Sequence, residues 1–214
     1  MHVTRIAAAA ALVLAGARAA HAQDPDLAAR LEPSARTPVQ TLVDSARAGG
    51  LPARPLVAKA LEGTAKRASG ERIVAAVHAL LRDLRTARSA LGPSATESEI
   101  TIGAAAVRAG VDPETLRGLR AVRADLTVPL AVLADLVGRG VPADTAAAAI
   151  LQLAQRGAPD ADFTGLARHV VQDVAAGIPP GVAAAARAGT PAPITRPAPP
   201  PGRSRPATPP RPRP

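Results

Sequence analysis

Apolar positions along the middle of this chain recur with the period of an α-helix. Ile73, Val77, Leu80, Leu81, Leu84 and Leu91 fall on one helical face, and Phe163, Leu166, Val170 and Val174 fall on another. This is the spacing of amphipathic segments that bury one stripe. Between such stretches a short mark repeats. Gly50-Leu51-Pro52, Gly140-Val141-Pro142, Gly157-Ala158-Pro159, Gly177-Ile178-Pro179 and Gly189-Thr190-Pro191 share one form, and Gly110-Val111-Asp112-Pro113 adds a residue. Glycine suits the left-handed position just past a helix, an apolar residue after it packs back on the last turn, and proline opens the next helix at its first position.

The marks and the periodicity together predict helices over 25–32, 38–48, 55–68, 71–90, 97–109, 113–125, 128–138, 142–156, 161–176 and 179–188. The Ser94-x-x-Glu97 box and Asp112-Pro113-Glu114 are start signals for two of them. No segment reads as a strand. The expected fold is all-α, with about nine or ten short helices joined by tight Gly-x-Pro corners. From Gly110 to Gly177 the corners are 30, 17 and 20 residues apart. Unequal spacing favours an orthogonal bundle over a fixed-period solenoid, with an irregular array of helical hairpins as the other arrangement.

Three regions follow from composition. Arg5, an uncharged run from Ile6 to Ala17, and Ala20-His21-Ala22 before Gln23 form a Sec-type export signal, so residues 1–22 are expected to be cleaved. Residues 23–189 form the helical domain. Residues 190–214 hold 11 prolines and five arginines, Arg196, Arg203, Arg205, Arg211 and Arg213, and no acid. Such a segment is expected to be disordered and partly polyproline II. The expected location is therefore periplasmic or extracellular.

The formal charge of +9 divides unevenly. Without Arg5 and Arg18 it is +7, of which the tail carries +5 and the helical part +2, from 19 basic and 17 acidic residues. The basicity belongs to the tail. Arginine outnumbers lysine 24 to 2, so arginine clusters are weaker evidence of function here than in an average composition. There is no Cys, Trp or Tyr, and Phe163 is the single aromatic residue. This argues against thiol chemistry and cysteine zinc sites, and against stacking platforms for sugars or bases.

Four constellations remain as candidate chemistry. His169 precedes Asp173 by four residues, a spacing that could orient an imidazole, whereas His78 lies on a polar flank beside Arg82 and Arg85. Acidic pairs stand at Asp24/Asp26, Glu97/Glu99 and Asp160/Asp162, but each opens a helix, where capping explains it. Two arginine stripes, Arg82/Arg85/Arg88 and Arg117/Arg120/Arg123, step by three and would bind anions if their helices lay together. The tail is the fourth, a basic tether for anionic polymer or lipid. No catalytic, metal or cofactor residue is assigned.

The sequence therefore points to an exported, non-enzymatic interaction, scaffold or accessory protein of the cell envelope, with an unknown protein partner or an anionic envelope polymer or lipid. A hydrolase or cell-wall-modifying enzyme using carboxylates is the alternative, and a nucleic-acid or anionic-polymer binder acting through the arginine stripes is the third reading.

Overall fold

Five of the glycine marks end their helices in the same way in a computed structural model that describes residues 25–189. Gly50, Gly110, Gly140, Gly157 and Gly177 all have positive φ, between 63° and 97°. At each, the glycine N–H and the N–H after it turn back to helix carbonyls. For Gly140 these bonds are Gly140 N to Val137 O, 3.0 Å, and Val141 N to Leu136 O, 3.1 Å. This is the Schellman pattern, which satisfies carbonyls that a helix end leaves without partners. The following apolar residue is buried at Leu51, Val111, Val141 and Ala158. Gly189 differs, with φ −78°.

Between these corners run ten helices among the described residues: α1 Pro25–Arg30, α2 Pro33–Ala48, α3 Arg54–Ala65, α4 Gly70–Leu91, α5 Glu97–Arg108, α6 Pro113–Val122, α7 Thr127–Gly138, α8 Ala143–Gln155, α9 Asp160–Ala175 and α10 Pro180–Ala188. No strand occurs among them. The all-α class and the corner-and-helix order are as the pattern predicts.

Several helix ends differ for identifiable reasons. Helix α2 begins at Pro33 and carries Pro38 inside it, because Ala35 lies on the same buried face as Val39, Val43 and Ala46. Helix α3 stops early, at a corner built on Arg67, whose φ is 54°. Arg67 N donates to Thr64 O and Ala68 N to Gly63 O, so this is a sixth corner of the same kind without glycine. The capping box of α5 is Thr96 with Glu99, two residues beyond the expected Ser94 with Glu97: Thr96 N donates to Glu99 Oε2 at 2.9 Å and Glu99 N to Thr96 Oγ1 at 3.1 Å. Finally, Pro142, Pro159 and Pro179 are N-caps rather than first helical residues. The corners are so short that the proline must supply the extended backbone of the cap itself.

The helices group into two compact units, Met1–Ala104 and Ala105–Pro214, with the division inside α5. In the first unit α2 and α3 both pack on α4, whose 22 residues extend about 33 Å. Val77, Leu81, Leu84 and Ala87 of α4 are buried, as are Val39 and Val43 of α2 and Leu56 and Ala60 of α3, the helices that pack on it. Gly63 lets α3 approach, since a Cβ there would lie 2.7 Å from Ile73. In the second unit α8 touches α6, α7, α9 and α10, α7 packs on α9, and α10 packs on both α8 and α9. Phe163 of α9 is fully buried in this core.

Candidate functional site

Helices α2 and α4 run side by side in the same direction, as their meeting points show. Near their starts Gly70 lies against Ser34 and Glu32, a Cβ there coming within 2.9 Å of Ser34 Oγ. At the far end Arg85 donates to Ser45 Oγ at 2.9 Å. The chain can return for a parallel pairing because α3 packs on α4 between them in sequence.

Along the outer face of this pair lies an open groove of about 830 Å³. Its floor is Pro38, Leu42, Val74 and Ala75, and Thr41, His78 and Arg82 line it toward the end where the helices finish. The volume is within the range of ligand and peptide sites, and an apolar floor with a few polar groups is their usual make-up. A smaller hollow of about 670 Å³, lined by Arg47, Leu51, Arg54, Val57 and Glu97 among others, has more polar walls.

The groove was not foreseen from sequence, although a signal existed. Pro38 and Leu42 on α2, and Val74 and Ala75 on α4, widen the apolar arc beyond the buried stripe of Val39, Val43, Val77 and Leu81.

The arginine stripes belong to separate units and are put to different uses. In the first, Arg82 lines the groove, Arg85 bonds Ser45, and Arg88 Nη1 donates to Ala95 O at 3.1 Å, tying α4 to the loop after it. In the second, Arg117 pairs with Glu114 one turn back and Arg120 donates to the carbonyl of Ala124. The pairing holds the Glu114 carboxyl below the usual carboxylate range, chiefly through the Arg117 hydrogen bond.

Arg123 has the fullest set of contacts. Its backbone leaves the helix at φ −148°, which sends the guanidinium toward the start of α9. There it donates to Ala158 O at 2.7 Å and to Asp160 Oδ1 at 2.5 Å, and sits 5.3 Å from the centroid of the Phe163 ring. This is a cation–π contact over a core aromatic. Arg123 acts as a clamp between α6 and α9. Asp125 caps the start of α7 by accepting from Thr127 N at 2.9 Å, and that hydrogen bond lowers its pKa.

The His169–Asp173 spacing does not form a dyad. Arg187 of α10 takes both carboxylate oxygens of Asp173, each at 2.8 Å. That bidentate bond is the main reason the Asp173 pKa is lowered, and the nearby His169 adds only a smaller effect. Of the acidic pairs, Asp160 is held by Arg123, and Glu99 is buried in its capping box while Glu97 is exposed. No group of three or more metal-ligating side chains occurs among the described residues. Asp24, the expected export signal over residues 1–22, and tail residues Arg196, Arg203, Arg205, Arg211 and Arg213 lie outside the described residues, as does the side chain of Asp26.

No described helix is long and apolar enough to cross a membrane. Comparison with protein-family models, curated proteins and solved structures gives no match to this chain.

Proposed function

We propose that this is an exported, non-enzymatic interaction protein of the cell envelope, which docks a partner on its helical surface and holds anionic polymer or lipid through its basic tail. The observation that carries the docking part is the α2–α4 groove, with its apolar floor and charged ends. The carboxylates of the described helices support a binding role over a hydrolytic one. Among the described residues the shifted carboxylates Glu62, Glu114, Asp125 and Asp173 all move downward. A general acid working near neutral pH needs the opposite shift. Export rests on the signal-like first 22 residues, and the tail's role on its five arginines without an acid.

A photo-crosslinking residue at Ala75, in the groove and exposed, tests the docking part in the native host. A discrete protein adduct from Ala75 and none from exposed Arg72, outside the groove, is the expected result. No adduct from either position would reject it. Sedimentation with anionic vesicles tests the tail. Binding should weaken steeply with salt and largely vanish when the chain is cut after Gly189. If the truncated form binds equally well, the tail is not the anchor.

A further inference from the structure

The α2–α4 groove carries opposite charge at its two ends. Glu32 and Glu71 stand where both helices begin, with the Glu32 carboxylate so close to Gly70 that a Cβ there would overlap it. Arg82 and Arg85 stand at the other end. From Glu71 to Arg82 the distance along α4 is about 17 Å, or three turns. Pro38, Leu42, Val74 and Ala75 lie between. Glu71, His78 and Arg82 are exposed and have no ion pair or hydrogen bond among the described residues.

We infer that a second copy of this chain covers the groove, related by a two-fold axis that lies in the contact plane and crosses both helices near its middle. The inference rests on the groove being a docking surface and names the occupant. Charge selects the axis. An axis running along the helices would lay α4 of one copy on α2 of the other at equal height, so that the acidic ends, Glu71 and Glu32, meet each other and the basic ends do the same. An axis across them reverses the second copy, so each Glu71 meets the Arg82 of the other copy, and symmetry provides this pair twice.

The same operation matches the apolar floor. Pro38 of one copy faces Leu42 of the other, and Ala75 faces the flat ring of His78. Small exposed residues at Ser34 and Ala75 allow the second copy to approach. Four helices, two from each copy, then pack as an antiparallel bundle with opposed dipoles. A surface that carries both halves of its own charge match is what an isologous contact requires. Its area, two helices by three turns, is at the small end for stable association, which places the dissociation constant on the order of micromolar.

Sedimentation equilibrium of the whole chain tests the inference. The wild type should show a concentration-dependent dimer that weakens with salt. Glu71→Arg and Arg82→Glu should each weaken self-association by roughly tenfold or more, since each turns two attractive pairs repulsive. Mixing the two variants should restore a dimer, because both pairs then join opposite charges: the new cation at position 71 faces the new anion at position 82, and the native Glu71 faces the native Arg82. Circular dichroism confirms that each variant is folded. A wild type that stays monomeric, or single variants that dimerise as well as it does, overturns the inference. If the chain is monomeric and Ala75 crosslinks to a different protein, the second copy is the wrong occupant and the docking reading stands. If it is monomeric and Ala75 crosslinks to nothing, both fall.

Discussion

Exchanging residues at the corners separates backbone strain from side-chain contacts. Arg67 is exposed, adopts φ 54° and makes no ion pair among the described residues. Its side chain gives little to lose. A non-glycine residue in the left-handed region carries about 1–2 kcal/mol of strain. Glycine removes that strain but adds about 0.5–1 kcal/mol of backbone entropy lost on folding. Arg67→Gly should therefore stabilise the chain by about 0.5–1 kcal/mol.

The reverse change grades with angle. Gly157, at φ 68°, lies within the left-handed basin, whereas Gly140, at φ 89°, lies beyond its edge. A Cβ at Gly157 would meet nothing within 4 Å, and one at Gly140 only an ordinary contact with Pro180 at 4.0 Å. Gly157→Ala should cost about 1 kcal/mol and Gly140→Ala about 2 kcal/mol, with Gly140→Val worse still. Gly165, inside α9 with open space around its would-be Cβ, should gain up to about 1 kcal/mol as Ala. Urea midpoints at constant m-value measure all five. A lower midpoint for Arg67→Gly, or equal midpoints for the two Gly→Ala changes at 140 and 157, would refute the strain argument.

Three further outcomes follow from the polar contacts. Thr96→Ala should destabilise the chain by about 0.5–2 kcal/mol and Ser94→Ala hardly at all, since only the first breaks the cap of α5; thermal or urea unfolding distinguishes them. Asp173 has a lowered pKa, so its bond to Arg187 contributes stability that is complete above the ordinary aspartate value of 3.8 and is lost as pH falls through the folded value. Asp173→Asn should remove that part of the acid dependence, whereas His169→Ala should leave most of it. Glu62, held by Lys66 and Lys59, titrates at about 2 instead of 4.5, so its contribution disappears as pH falls from 4.5 toward 2. Carboxyl carbon NMR should record that midpoint, and Lys59→Ala with Lys66→Ala should raise it.

The helical order was legible because glycine and proline act locally. A residue at positive φ favours glycine on local grounds alone, and five corners announced themselves that way. The corner at Arg67 did not, since there the tertiary structure imposes the left-handed turn on a residue that resists it. The choice between Ser94-x-x-Glu97 and Thr96-x-x-Glu99 was also not local. Both fit the capping rule, and the second wins where Glu99 is turned inward, 2% exposed. Pro38 misled in the same way. Proline is a good helix opener, but the burial of Ala35 with Val39 carries α2 back past it.

Candidate chemistry was less legible, because partners come from helices distant in sequence. His169 and Asp173 form a sound local pair until Arg187, 14 residues from Asp173, takes the carboxylate in a better geometry. Arg123 reads as one of a stripe until it is seen 37 residues away on Asp160. Three arginines that lie one to three residues before a corner glycine, Arg47, Arg139 and Arg156, show the same division. Arg47 and Arg139 pair back one turn with Asp44 and Asp135, at helix ends where the dipole also favours a cation. Arg156 instead reaches Ala188 O, the last carbonyl of α10, and so caps a helix other than its own.

In a chain without disulfides and with one aromatic residue, long guanidinium arms of this kind supply cross-links that larger core side chains would otherwise provide. An arginine is then informative where it is not used in that way. Arg82 projects from α4 next to an apolar floor, with Glu71 three turns away and no described bond within the fold. Internal stability does not explain that placement. A surface reversed upon itself does, because it supplies Arg82 with the carboxylate and the floor with the apolar cover that neither finds within one chain.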